Sequence, residues 1–525
     1  MNSMHVQEVR RVGRNRLEYV YTVAGEWSKY FEPTNPMWVE YSQPVDGVPD
    51  SVAVIPLIGN VIVLASLMDA DIYVEEIDRD FYECIEEFLG GFDEIMPDHV
   101  HFKRRNIVHA GRIFALGGGT EREENLLFFS GGVDATFSLI SHLEEKPALV
   151  TIWGADIPWD REESWNQALG FNQEVADRYD LKMLTIHSNF RAAFCNDYIE
   201  EYSYALVHDW WWPAFHHSVA MMCLAAPISC GKRRKLYFGS TYSAKDHKEW
   251  GSYINASDPQ VDNHVRFCGL QVVHDGYAFT RYEKVKKICE FYDSREVKPY
   301  LRVCYHSNEG INCGICEKCA RAIMSILLAG SDPRAYGFQY DEDRFAAFFA
   351  AGIQEVARSV RYEFLAFYTD IQAAFRHKYS ADQVPPVLRL FYETELETLA
   401  DFLNVPNNEC IARDKAAKKE REQLYRQIGQ LQWKLETCEQ SGEERLRGLS
   451  EDLNRANGEK QRLEAEANAL LEQKRALEER LLSLERSRSW RITRPLRFVG
   501  QSVRKIKARV SGTQGDRVEN DVGTR

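Results

Sequence analysis

Residues 126–154 read LLFFSGGVDATFSLISHLEEKPALVTIWG: a short apolar run, a Ser-Gly-Gly turn, a helical stretch and a second apolar run. The same alternation continues with a helical stretch over 165–179, an apolar run at 182–186, a long helical region to about residue 226 and another run at 235–238. Strand, helix and strand in this order predict an α/β fold, a parallel sheet flanked by helices. In such sheets ligands lie beyond the carboxyl ends of the strands. Ser130-Gly131-Gly132-Val133-Asp134, Gly154-Ala155-Asp156 and Gly239-Ser240-Thr241 each follow a predicted strand, so the three segments are expected on one rim.

The Ser130 to Asp134 segment has the composition of a phosphate loop. Small residues let the backbone approach an anion, and the following helix offers its N-terminus to negative charge. Two glycines after a strand are also an ordinary turn. A second cluster lies downstream, Cys304-x8-Cys313-x2-Cys316-x2-Cys319. Four thiolates at this spacing suit a tetrahedral, structural zinc site, with an iron-sulfur cluster and a redox pair as the rival readings.

Together the loop and the cysteines resemble the PP-loop ATP pyrophosphatases, and most closely the 7-cyano-7-deazaguanine synthase family of the queuosine pathway, over about residues 126–330. In that family a Cys-Tyr pair precedes a CGxCxxC knot followed by arginine. Here the residues are Cys304-Tyr305, then Cys313-Gly314-Ile315-Cys316-Glu317-Lys318-Cys319, then Arg321. The resemblance implies an adenine nucleotide alpha hydrolase-like fold that uses ATP with Mg2+. Ser130, Gly131 and Gly132 would hold pyrophosphate, with Val133 beside them in the nucleotide site and Asp134 organising the loop and the magnesium. Gly154, Asp156, Gly239 and Ser240 would complete the nucleotide site, and Arg281 would face the α phosphate. The implied reaction activates a carboxylate or carbonyl oxygen as an adenylate for attack by ammonia. The family usually continues with serine after the aspartate; this chain has Ala135 and then Thr136, which would supply the hydroxyl. Arg281 likewise replaces a lysine in the segment TRYEKVKKI. Two other readings stand beside this one: a non-catalytic nucleotide-binding scaffold with a degraded site, and a sulfur-transfer enzyme of the same fold.

The middle of the chain, HDWWWP at 208–213 followed by His216 and His217, has no counterpart in that resemblance. A histidine pair on an aromatic-rich helix reads as core packing, the functional alternative being a base or substrate contact. Lys245, Asp246, His247 and Ser257-Asp258-Pro259 read either as pocket lining or as surface loop.

At 525 residues the chain calls for about three units. Residues 1–122 read as a small α+β domain, with β-type runs at 17–23, 52–55 and 61–66 and an acidic helix near 78–89; the apolar runs equally suit the start of a larger sheet. The domain with the loop and cysteine knot spans 123–330. A helical extension, 331–410, is assigned no chemistry. From 415 to 487 apolar residues fall into heptads, among them Leu424, Ile428, Leu431, Leu435, Leu463, Leu470, Leu477 and Leu484, interrupted near Gly442. Such a seam implies a coiled coil, in a homo-oligomer or with a helical partner.

The last segment, 488–525, is basic and amphipathic; residues 486–510 carry nine Arg or Lys and no acid. It reads equally as a peripheral contact with anionic membrane or as an unstructured basic arm. Its SRSWRITRPLR stretch resembles the tails of bacterial polysaccharide-assembly proteins. A net charge of −14 argues against specific nucleic-acid binding. With no signal-peptide-like opening and no long apolar stretch, the expected location is cytoplasmic, or peripheral to a membrane. The partner expected at the rim is a small-molecule substrate.

Overall fold

The computed structural model describes residues 2–115 and 124–396, apart from breaks at 160, 208, 231–233, 251–254, 305–310, 315, 344, 346–361 and 385, together with isolated helical residues between 455 and 469. Two compact units emerge, Met1–Asn404 and Val405–Arg525. The coiled-coil reading falls almost wholly outside the described residues, and the tail reading entirely so. Among the described residues no helix is long and apolar enough to cross a membrane.

The first unit is an α/β fold around one large mixed, mostly parallel sheet. Its eleven strands are β1 (Ser3–Val12), β2 (Arg16–Ala24), β3 (Trp38–Tyr41), β4 (Asp71–Asp78), β5 (Val108–Phe114), β6 (Leu126–Phe128), β7 (Ala148–Trp153), β8 (Met183–Ser188), β9 (Lys235–Gly239), β10 (Arg266–Phe267) and β11 (Leu270–Asp275). They lie in the order β10-β11-β9-β6-β7-β8-β3-β2-β1-β4-β5. From β11 to β8 every neighbouring pair is parallel. All three residues of β6 and the first five of β7 are buried, as continuous apolar strands covered on both faces must be. In β8 burial alternates, so its inward side chains meet the core while the others are only half covered.

The N-terminal strands are the far wing of this same sheet. β3 pairs antiparallel with β8, Tyr41 opposite Ile186 and Val39 opposite Ser188. β2 and β1 follow antiparallel, then β4 and β5 parallel. Residues 17–23 lie within β2, and the acidic helix is Arg79–Ile95, with the Asp78 carboxylate accepting the Phe81 N–H at 3.1 Å as its cap.

The β-type readings at 52–55 and 61–66 are corrected. These residues form the helices Asp50–Ala53 and Ile55–Leu67, with Val54 as the turn between them. Every residue from 55 to 66 is buried. A helix covered on all sides has no polar face, so its sequence lacks the 3.6-residue alternation that separates it from a buried strand.

One polar link crosses this packing. Asn60, buried in Ile55–Leu67, donates to the Pro56 carbonyl at 2.7 Å and the Ala220 carbonyl at 3.3 Å, and its Oδ1 pairs with His216 Nε2 at 2.9 Å. Burial, reinforced by Arg191 and His217, pushes the His216 imidazole down to about 3, so it stays neutral and donates through Nε2. Asn60→Leu is therefore expected to lower the unfolding free energy by about 1–3 kcal/mol in urea denaturation, because it strands a buried N–H. Adding His216→Phe should recover part of that loss.

Candidate functional site

The chain leaves β6 at Phe128 and enters the helix Val133–His142 four residues after Phe129. Between them Gly131 takes a φ of +76°, and a Cβ there would lie 2.7 Å from Asn172 Oδ1. Asn172 is buried in the helix Glu162–Tyr179, and its Nδ2 donates to the Phe129 carbonyl at 3.0 Å and to Thr151 Oγ1 at 2.9 Å. Gly132 N–H donates to Ser130 Oγ at 3.3 Å. From the opposite side Arg302 donates its N–H to the Gly131 carbonyl at 2.9 Å and its Nε–H to the Ser130 carbonyl at 3.1 Å. The turn is thus fixed by a buried amide on one side and an arginine on the other.

Asp134, in the first turn of the helix, is gripped by two cations. Arg281 Nη2 lies 2.5 Å from its Oδ2, and Lys284 Nζ lies 3.4 Å from its Oδ1. The Lys284 side chain is fully buried and also donates to the Ser240 carbonyl at 2.5 Å and to Ser240 Oγ at 2.8 Å. Burial pulls its ammonium down, with Asp134 acting the other way. Arg281 and Lys284 share a face of the helix Arg281–Asp293, while Glu283 closes a capping box with Thr280, its Oε2 accepting the Thr280 N–H at 2.8 Å. Lys284 was not among the residues singled out from the sequence. Its spacing of three from Arg281 behind a Thr-x-x-Glu start was the available signal.

These groups border a cavity of about 750 Å3 lined by Ser130, Gly132, Val133, Asp134, Asp156, Gly239 and Arg281 among others. The three segments expected on one rim do meet there. Gly154 and Ser240 stand just behind the lining: Gly154, at φ +101°, packs against the Ser188 carbonyl, and Ser240 serves Lys284. Thr136 does not line the cavity. It is 1 % exposed and its Oγ1 has no hydrogen-bond partner among the described residues, whereas Ala135 does reach the cavity. Of the histidine pair, His216 is core and His217 faces the cavity beside Trp212, whose ring lies 4.1 Å under the Arg191 guanidinium. Lys245 pairs with Asp370 at 2.6 Å, and Asp246 holds the Ser243 N–H and hydroxyl at 2.7 Å, so neither lines the cavity.

The sequence brings the cysteines together as its spacing implied. The four Sγ atoms of Cys304, Cys313, Cys316 and Cys319 lie within 4.8 Å of one another. The Cys313–Cys319 and Cys304–Cys316 separations are 3.9 and 3.8 Å. Sulfurs at Zn–S distances of about 2.3 Å in a tetrahedron sit about 3.8 Å apart, so the set could hold a structural zinc ion. Crowding also disfavours ionisation of Cys316: Cys304 and burial push its thiol up to about 12, with Cys319 opposing, and a divalent cation removes that conflict. Buried Asn312 braces the arms, accepting the Val303 N–H at 3.0 Å and donating to the Leu301 carbonyl at 2.7 Å. The knot in turn places Arg302 against the loop and Glu317, Lys318 and Arg321 in the cavity wall.

No family model matches the chain, and neither a curated protein nor a solved structure is significantly similar to it. The fold and site define an α/β protein whose glycine turn, helix N-terminus and clustered cations can bind an anion at the end of a parallel sheet. The knot's metal is tested by elemental analysis: about one zinc per chain is expected, with Cys316→Ser losing most of it together with thermal stability.

Proposed function

We propose that this chain is an ATP-dependent, adenylate-forming ligase or amidotransferase of the PP-loop type, similar to 7-cyano-7-deazaguanine synthases. The observation that carries the reading is the Ser130-Gly131-Gly132 turn at a strand-to-helix junction, with Asp134 held by Arg281 and Lys284 at the edge of the cavity. Backbone N–H groups of the turn would take the pyrophosphate end of Mg-ATP. A carboxylate or carbonyl oxygen of a small substrate would then attack the α phosphorus and expel pyrophosphate, and ammonia or another nitrogen nucleophile would displace AMP. Arg281 supplies positive charge where the α phosphate gains negative charge, and Lys284 keeps Asp134 from drifting across the pocket. His217, Arg191 and Asp156 line another part of the cavity, where the acceptor substrate would lie.

One observation favours a second reading, the nucleotide-binding scaffold. Ala135 faces the cavity where the family usually has serine, and the Thr136 hydroxyl is turned into the core. A site without that hydroxyl could bind ATP and not react. Sulfur transfer has no comparable support.

AMP and pyrophosphate formation from Mg-ATP, with ammonium and a pool of small metabolites, separates the two. Catalysis is expected to release pyrophosphate, and Asp134→Asn to lower that release by about a hundredfold or more. ATP binding with no pyrophosphate from any metabolite pool would favour the scaffold.

A further inference from the structure

The helical extension, to which the sequence assigned no chemistry, returns to the cavity. Its helix Tyr362–Lys378 contributes Phe367 to the cavity wall, where the residue is 4 % exposed. The Phe367 ring centre lies 5.1 Å from the Arg281 guanidinium carbon and 4.3 Å from that of Arg321. It also stacks on Tyr242, 5.3 Å away with planes 10° apart. Three polar contacts hold the helix in this place, one of them from Lys378 Nζ to the Leu328 carbonyl at 2.5 Å. Asp370 pairs with Lys245 at 2.6 Å, and Tyr368 donates its hydroxyl to the Glu317 carbonyl at 3.3 Å. The extension therefore touches the segment after β9, the helix that carries Arg281 and the helix that leaves the cysteine knot.

Arg281 reaches Asp134 with one edge, while its buried Nε–H has no hydrogen-bond partner among the described residues. The negative face of an aromatic ring compensates such a cation without occupying its donors. Arg321 is tied to Glu317 at 3.1 Å and meets the same ring. Two long side chains are thereby ordered before any ligand arrives, which removes part of the entropy cost of binding an anion between them.

We propose that Phe367 is a positioning residue for Arg281 and Arg321, so that the C-terminal extension is part of the anion site. Its consequence for phosphate binding rests on the reading of the cavity given above. The positioning of the arginines does not.

The test uses the full-length chain, Phe367→Leu, which keeps an apolar side chain without the ring, and Phe367→Tyr, which keeps the ring. In the ligand-free proteins, phenylglyoxal labelling of Arg281 and Arg321, followed by mass spectrometry, is expected to be severalfold faster in the leucine variant and within about twofold of normal in the tyrosine variant. Inorganic pyrophosphate affinity, by calorimetry, should fall about five- to tenfold in the leucine variant only. Equal labelling of all three proteins, or equal acceleration in both variants, overturns the proposal. If labelling follows expectation while the unmutated chain binds neither pyrophosphate nor Mg-ATP, the positioning role stands and the phosphate reading fails. Should Phe367→Leu not fold, Asp370→Asn loosens the same helix and is expected to raise Arg281 labelling about twofold. Unchanged labelling there overturns the proposal as well.

Discussion

Lys284 is a cation with no exposed side-chain surface, and a buried ammonium needs counter-charge and hydrogen bonds to stay charged. It finds them in Asp134 and in both oxygens of Ser240. That requirement joins three elements that the chain separates widely: the helix after the glycine turn, the end of β9 and the helix that carries Arg281. Break the node and the Asp134 carboxylate, the Arg281 guanidinium and the turn lose their common reference. Removing one partner of such a group costs more than the pair contributes, because the remaining charge stays out of water.

The cysteine knot serves the same place from the other side. Cys316 itself borders the cavity, and the knot fixes the segments on either side of it. Arg302, two residues before Cys304, holds the carbonyls of Ser130 and Gly131. Arg321, two residues after Cys319, faces the cavity. A structural ion here would stabilise the fold and, through these arginines, the shape of the pocket. The wing formed by β1 to β5 plays a further supporting part, since β3 covers the edge of β8 and the helix Ile55–Leu67 packs behind the His216 region.

Residues whose role follows from their neighbours in sequence were legible. The Ser130-Gly131-Gly132 turn, the strands that flank it and the four cysteines are set by short-range chemistry: small residues for a tight turn, buried apolar runs and thiols at ligand spacing. Thr136 shows the limit of that reasoning. Its hydroxyl was expected in the pocket in place of the serine that the resemblance puts after the aspartate, but two residues along a helix from Asp134 turn a side chain about 200° round the axis, and it points into the core. The helix Ile55–Leu67 was misread for a related reason, because burial on every side erases the periodicity on which a helix assignment depends.

By itself, then, the sequence determined the α/β alternation, the rim on which its glycine and aspartate segments fall, and the cysteine set that could hold an ion. Tertiary structure alone decided that the first 115 residues extend the same sheet, that Lys284 completes the Asp134 cluster, that Arg302 clasps the turn and that Phe367 closes the wall. Each of these depends on contacts between residues tens to hundreds of positions apart. Local propensity and spacing do not encode such contacts; they arise only when burial forces distant apolar faces together and each buried charge has to find its partner.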